Sequence, residues 1–266
     1  TTGAKSLHEY LNAVVPSINP LIAEPSNENG KLKVIFMTPS RKKAHPAWFE
    51  ALERSIPLVI EAGYDEGMTF QTGCPYISGA RASMLKQGLN AKGDIFVFLD
   101  DDLSWDAEDI VTLLKTPGDV VGGTYRCKED EDNYMGRVLQ DENGNPTSIR
   151  EDGAIECSCL PAGFLKVTKE AVFRFMRGYP ELCYGPPWDY AVDLFNHGAW
   201  EGLWWGEDYA FCRRWREIGG QVWMVPNLNI NHHAWDSDKV YRGNFHEYLM
   251  RQPGGAKEGQ PWPIAA

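Results

Sequence analysis

Five apolar residues in a row, Ile95-Phe96-Val97-Phe98-Leu99, run straight into three aspartates, Asp100-Asp101-Asp102. An uninterrupted apolar run of this length reads as a strand covered on both faces, as in the mostly parallel sheets of α/β proteins. Open α/β sheets bind their ligands at the carboxyl ends of strands, where these aspartates stand. Three adjacent carboxylates repel one another and lose solvation unless a cation compensates. In extended chain Asp100 and Asp102 point to one side and Asp101 to the other. Two carboxylates on one face suit Mn2+ or Mg2+, which take oxygen ligands and keep positions for phosphate oxygens. A solvated acidic turn that caps the next helix accounts for the same residues without any ligand.

The flanking sequence extends the α/β pattern. Residues 31–37 form a compact apolar strand that ends in Thr38-Pro39-Ser40-Arg41. Residues 46–62 read as a helix with Pro46 in its first turn and Gly63 past its end, and Pro57 implies a kink or two shorter pieces. Ser78 is placed to cap a helix to about Ala91, and Asp106 another to about Lys115. A strand over 119–125 completes an alternation of strand and helix, as in a Rossmann-type layer. The second half has an α+β texture. The loop 141–146 reads as a hairpin connection, strands follow at 155–160 and 164–167, and Thr168 can cap a helix to Arg177. A Pro- and Trp-rich loop over 185–205 leads to a helix over 207–218, closed by Gly219-Gly220, and then to a strand over 222–225. The chain therefore divides into an arm (1–30), two halves (31–125 and 126–235) and a loosely packed tail (236–266).

The 266 residues carry a formal net charge of −11, which argues against a broad electrostatic grip on nucleic acid. A local basic patch could still meet a nucleic-acid base. Of the six cysteines, only Cys157 and Cys159 are closely spaced; no zinc pattern or disulfide framework emerges, and reduced, mostly buried thiols are expected. No apolar run reaches the length of a membrane span. The opening Thr1-Thr2-Gly3-Ala4-Lys5 lacks a signal peptide's apolar stretch, with an anchor further upstream left open; the lack of an Asn-X-Ser/Thr acceptor site, Asn145 being followed by Pro, favours a cytoplasmic location.

Two further segments carry chemistry. The first is Leu203-Trp204-Trp205-Gly206-Glu207-Asp208-Tyr209, which sets two carboxylates in the first turn of a helix, where the dipole favours their charge. They are also ordinary helix stabilisers. The second is Asn231-His232-His233-Ala234-Trp235; adjacent histidines in extended chain point opposite ways, so one of them can join a metal among carboxylates.

Taken together, Phe96-Val97-Phe98-Leu99-Asp100-Asp101-Asp102, the Arg81-containing helix before it and the Trp205-Gly206-Glu207-Asp208 segment after it resemble GT-A glycosyltransferases. The acidic turn is similar to the Asp-X-Asp donor signature of those enzymes, family 2 members among them. The Trp-Gly-Glu-Asp segment is similar to Trp-Gly-Gly-Glu-Asp of β-1,4-galactosyltransferase-like enzymes, with Trp205 where the family often has Gly. The likeness spans roughly residues 32–235.

The resemblance implies a GT-A-like Rossmann-type mixed sheet flanked by helices, with a nucleotide-sugar-binding half (31–125) and an acceptor-binding and catalytic half (126–235). It implies transfer of a sugar from a nucleoside-diphosphate sugar, UDP-linked by default, to an acceptor hydroxyl. Asp208 would be the base of an inverting reaction, with Glu207 beside it. Thr38, Pro39, Arg41, Arg81, Asp100 and Asp101 would hold the donor, with Arg81 at its pyrophosphate. Asp100, Asp102 and His232 would bind Mn2+ or Mg2+, and Trp204, Trp205 and Gly163 would border the acceptor. The acceptor is open between a saccharide, a lipid-linked glycan, a protein and a modified nucleic-acid base. A retaining glycosyltransferase, a metal-dependent nucleotidyltransferase and a non-catalytic carbohydrate-binding protein are the alternatives.

Overall fold

The computed structural model describes residues 30–142, 145–186 and 190–251. Nearly all of the predicted arm, and the tail beyond Arg251, lie outside them. The chain folds as a mixed α/β protein on one eight-stranded sheet. Strand β1 (Lys33–Ser40), helix α1 (Pro46–Glu61), strand β2 (Asp65–Thr72), helix α2 (Ile77–Asn90) and strand β3 (Ile95–Leu99) open it. Strand β4 (Leu103–Trp105), helix α3 (Ala107–Lys115), and strands β5 (Val120–Gly122), β6 (Arg137–Val138), β7 (Ile155–Cys159) and β8 (Phe164–Thr168) follow. Next come helix α4 (Lys169–Gly178), the short strands β9 (Cys183–Tyr184), β10 (Ala191–Val192), β11 (Gly198–Trp200) and β12 (Leu203–Trp205), and helix α5 (Glu207–Glu217). Strands β13 (Val222–Met224), β14 (Asn229–His233) and β15 (Val240–Asn244) lead to helix α6 (Phe245–Arg251).

The sheet order is β2-β1-β3-β8-β5-β13-β7-β6. β2, β1 and β3 are parallel, but β8 runs antiparallel between β3 and β5. All five β3 residues are buried, as their apolar run requires. The mostly parallel surroundings expected of that run hold on one side only. Strands of the second half thus enter the first half's sheet, and the two halves share one core.

Side-chain alternation splits that core between the two faces of the sheet. Ile35, Met37, Phe96 and Phe98 pack with Met84 and Leu85 of α2, Val172 and Phe175 of α4, and Phe211 and Trp215 of α5. Val34, Phe36, Val97 and Leu99 pack on the other face with Trp48 and Ala51 of α1 and Ile110 and Leu113 of α3. Each such large side chain contributes about 1.5–3 kcal/mol on burial, which holds the strand ends, and so the aspartates, in place.

Local signals behave unevenly. Asp106 and Asp109 form a capping box at the start of α3, and the Thr168 side chain accepts from the Ala171 N–H at the start of α4. Gly219, at φ +79°, ends α5. Three expectations are corrected. Pro57 sits inside one continuous α1 rather than between two shorter helices, because buried Trp48, Ala51, Leu52, Ser55 and Val59 on both sides of it keep one face on the sheet. Ser78 is not a cap: α2 starts at Ile77 behind Tyr76, and Ser78 is buried in its first turn. The stretch after 236 is not a loose tail up to Arg251, since β15 pairs with β14 along five residues and Tyr241 and Asn244 are buried. All six cysteines are free thiols, four of them buried. Among the described residues no helix is long and apolar enough to cross a membrane.

Candidate functional site

The three aspartates do not continue the strand. The Leu103 N–H reaches the Asp100 carbonyl at 3.4 Å, closing a turn between β3 and β4. Asp100 and Asp102 both line one cleft but are held by different partners. The turn is pinned through its backbone: the Asp100 N–H donates to the Gly163 carbonyl, the His45 N–H to the Asp101 carbonyl at 2.7 Å, and the His233 N–H to the Asp102 carbonyl at 2.8 Å.

Asp100 faces inward. Its Oδ1 accepts from Arg81 Nη2 at 2.8 Å, while Arg81 Nη1 reaches Glu207 Oε1 at 2.8 Å. Arg81 is only 2% exposed, and its guanidinium lies 5.2 Å from the Phe195 ring centre. Burial alone would lower its pKa, but Asp100, Glu207 and Asp208 together raise it, so it stays a cation. The Tyr125 hydroxyl donates to Asp100 Oδ2 at 3.2 Å; burial, and next the Asp100 charge, push the Tyr125 phenol well above its ordinary pKa. Gly163 supplies the room: a Cβ there would stand 2.2 Å from the Tyr125 hydroxyl and 2.4 Å from Asp100 Oδ2. Two sequence expectations change here. Arg81 is committed to two carboxylates of its own chain, not turned toward a ligand, and the space above Gly163 is filled by Asp100 and Tyr125.

Asp102 faces another set of partners. β14 pairs with β4 so that His232 stands opposite Leu103, which brings a histidine from far along the chain beside the turn. His232 Nε2 is 3.5 Å from Asp102 Oδ2, and its Nδ1 lies 2.8 Å from the Arg126 carbonyl. A carbonyl only accepts, so Nδ1 carries the hydrogen, and Nε2 is the ring nitrogen turned toward the carboxylate. Lys128 Nζ donates to the same Asp102 oxygen. Burial works to raise the Asp102 pKa, but His232 and Lys128 hold it below the usual range. His233 turns away, as alternation requires, bonding Ser104 Oγ at 2.8 Å and stacking on His45 with ring centres 4.4 Å apart.

These facts decide how far a divalent cation fits. Asp100, Asp102 and His232 do not gather as one ligand set, and among the described residues no three His, Cys, Asp or Glu side chains do. The Asp102–His232 pair does suit a cation: a carboxylate oxygen and an imidazole nitrogen face each other 3.5 Å apart. Two ligands of one cation at about 2.1 Å each stand roughly 3–3.5 Å apart. Asp100 is withdrawn from that pair by Arg81.

Asp208 lies at the start of α5 next to Glu207. Burial first, and then repulsion from Glu207, push its carboxyl up to about 6. Asp101 is likewise raised to about 6, chiefly by burial. A cleft of about 930 Å3 opens beside the turn, lined by Pro39, Arg41, Lys42, Lys43, the three aspartates and Trp235 among others. Of the residues expected around a donor, Pro39, Arg41, Asp100 and Asp101 line it, whereas Thr38 is wholly buried beneath. The two expected acceptor tryptophans are not among its lining. They stand on the β11–β12 hairpin, whose two-residue turn puts Glu201 and Gly202 at positive φ. Trp204 is 73% exposed, while Trp205 lies under Arg213.

No family model matches the chain, and no curated protein matches it either. The site must therefore be read from its own residues. Lys128, Tyr125 and Trp235 belong to it without having been assigned from sequence. Tyr125 and Lys128 carry no local motif, and Trp235 stands just past the histidine pair.

Proposed function

We propose that this chain is a glycosyltransferase of GT-A-like fold that moves a sugar from a nucleoside-diphosphate sugar to an acceptor hydroxyl. The single observation that carries the reading is the Arg81 bridge, which ties the carboxyl-edge Asp100 to Glu207 beside Asp208. Two segments that resemble the donor and catalytic signatures of one family are thereby tied to one another, with Asp100 on the cleft wall.

The residues divide the work as follows. Arg41, Lys42 and Lys43 on the cleft wall favour the phosphates of the donor. Asp102 and His232 would hold Mn2+ or Mg2+. When bound, that ion supplies Lewis-acid stabilisation of the charge that develops on the leaving diphosphate. Asp208 takes the proton of the acceptor hydroxyl as the acceptor oxygen bonds to the anomeric carbon; the anomeric carbon–oxygen bond to the diphosphate breaks, and its electron pair leaves with the diphosphate. Attack opposite the leaving group inverts the anomeric centre. A carboxyl near pKa 6 is a better base than an ordinary aspartate and is still ionised at pH 7. The exposed face of Trp204 offers a stacking surface for a sugar acceptor.

A thermal-shift screen of nucleotide sugars with and without Mn2+ identifies the donor and tests the class together. The expected result is a rise in melting temperature with one nucleotide sugar only when Mn2+ is present. With that donor, Asp208→Asn should lower transfer by about 10²–10⁴-fold, and wild-type rate should climb as pH rises through about 6, where Asp208 loses its proton. No shift with any nucleotide sugar, or full activity in Asp208→Asn, contradicts the reading.

A further inference from the structure

The positive charge at Asp102 is already supplied by the chain. Lys128 Nζ bonds the same oxygen that lies 3.5 Å from His232 Nε2. An ammonium on that oxygen offsets the carboxylate's charge, as a metal ion there would. Lys128 comes from the loop 127–133, closed by the Arg126–Tyr134 bridge. The loop is held by the Arg126–Asp132 ion pair at 2.9 Å, the Cys127 N–H on the Asn133 carbonyl at 2.9 Å, and a Lys239–Asp130 contact. Its backbone is thus tied, while the Lys128 side chain remains partly open to solvent, at 29%.

We infer that Lys128 is an exchangeable internal cation: its ammonium occupies the Asp102 position that a divalent cation takes, and the two exclude one another. The inference rests on the proposed binding of a divalent cation by Asp102 and His232, and adds the residue that sets how tightly the ion is held. Two positive charges on one carboxylate oxygen repel strongly in a partly buried site. Entry of the ion needs only rotation about the flexible four-carbon stem of the lysine, so the tied loop can stay where it is. The partly buried ion pair with Lys128 must be broken each time the ion binds, and that cost appears as weaker apparent metal affinity. By contrast, Arg81 on Asp100 is buried and doubly paired, so it does not exchange.

The test is a calorimetric titration of the full chain with Mn2+ alone, with bound Mn2+ counted independently by electron paramagnetic resonance. Lys128→Gln, and Lys128→Met, which keeps the aliphatic stem, should bind Mn2+ about 3- to 10-fold more tightly than wild type. Lys128→Arg, which retains the charge, should stay near wild type, and Asp102→Asn should lose binding. Circular dichroism melts establish that each variant is folded, and two neutral variants guard against one that is not. Wild-type binding with equal or weaker affinity in both neutral variants overturns the role of Lys128 and leaves the metal site standing. No Mn2+ binding in wild type or in either neutral variant overturns this inference and the metal-dependent reading together.

Discussion

Asp100 and Asp102 are two residues apart, yet they belong to different regimes. Asp100 is fastened by Arg81, 2% exposed, and by the Tyr125 hydroxyl, in room that only a glycine at 163 leaves. Asp102 meets a lysine, 29% exposed, on a surface loop and the Nε2 of a histidine. The first arrangement joins the two halves of the molecule. The second leaves a carboxylate whose cation can be traded. The difference comes from the turn that replaces strand geometry after Leu99: it gives one carboxylate to the buried Arg81 and the other to Lys128 of the 126–134 loop.

That contrast has graded consequences. Arg81→Met should be the most damaging change, because it leaves Asp100 and Glu207 as uncompensated, partly buried charges; a loss of about 3–5 kcal/mol is expected in chemical denaturation. Gly163→Ala comes next. The added Cβ would fall within 2.4 Å of both Asp100 Oδ2 and the Tyr125 hydroxyl, and overpacking of this kind costs about 1–3 kcal/mol. Neither change touches Lys128 or His232, so a folded Gly163→Ala protein should keep most of its Mn2+ affinity. If it does not, the two carboxylates are coupled and the division between them fails.

Asp208→Asn should move stability the other way. Its folded pKa of about 6 lies above the unfolded value, so the ionised carboxyl disfavours the folded state. Its contribution is most favourable below the unfolded pKa and is lost as pH rises through about 6. The variant should therefore be more stable than wild type by roughly 1–2 kcal/mol at pH 7.5, allowing for solvent screening, with the gap vanishing near pH 4. The smallest change is Lys128→Gln, which should cost under about 1 kcal/mol. A Lys128 variant as unstable as Arg81→Met would mean that both aspartates are structural anchors.

The parts of this molecule that sequence reasoning reached are those whose residues act locally. The apolar run of β3, the capping box at Asp106 and the Thr168 cap depend on neighbours a few positions away. β2 was not foreseen, because Asp65–Thr72 is an edge strand of alternating, largely polar residues with little apolar signal. β4 is three residues long and follows the aspartates at once. In the site, the same logic holds. Alternation says that only one of His232 and His233 turns to the aspartates, but only the β4–β14 register shows which of them meets Asp102. Arg81 could be read from sequence either as a pyrophosphate ligand or as a surface ion-pair former, since nothing in the sequence announces that Glu207, 126 positions later, takes its other nitrogen. Lys128 is one basic residue ahead of an acidic run, with no spacing that marks it; its place is set by a loop folding back over the sheet edge.

The central claim is that the donor is held through a cation at Asp102 and His232, with Asp100 serving as scaffold. Calorimetric titration of the nucleotide sugar that shifts the melting temperature most, with and without Mn2+, into wild type and Asp102→Asn tests it most directly. The account predicts binding to wild type that requires Mn2+ and disappears in Asp102→Asn. Donor binding of equal strength without Mn2+, or unchanged in Asp102→Asn, would contradict it.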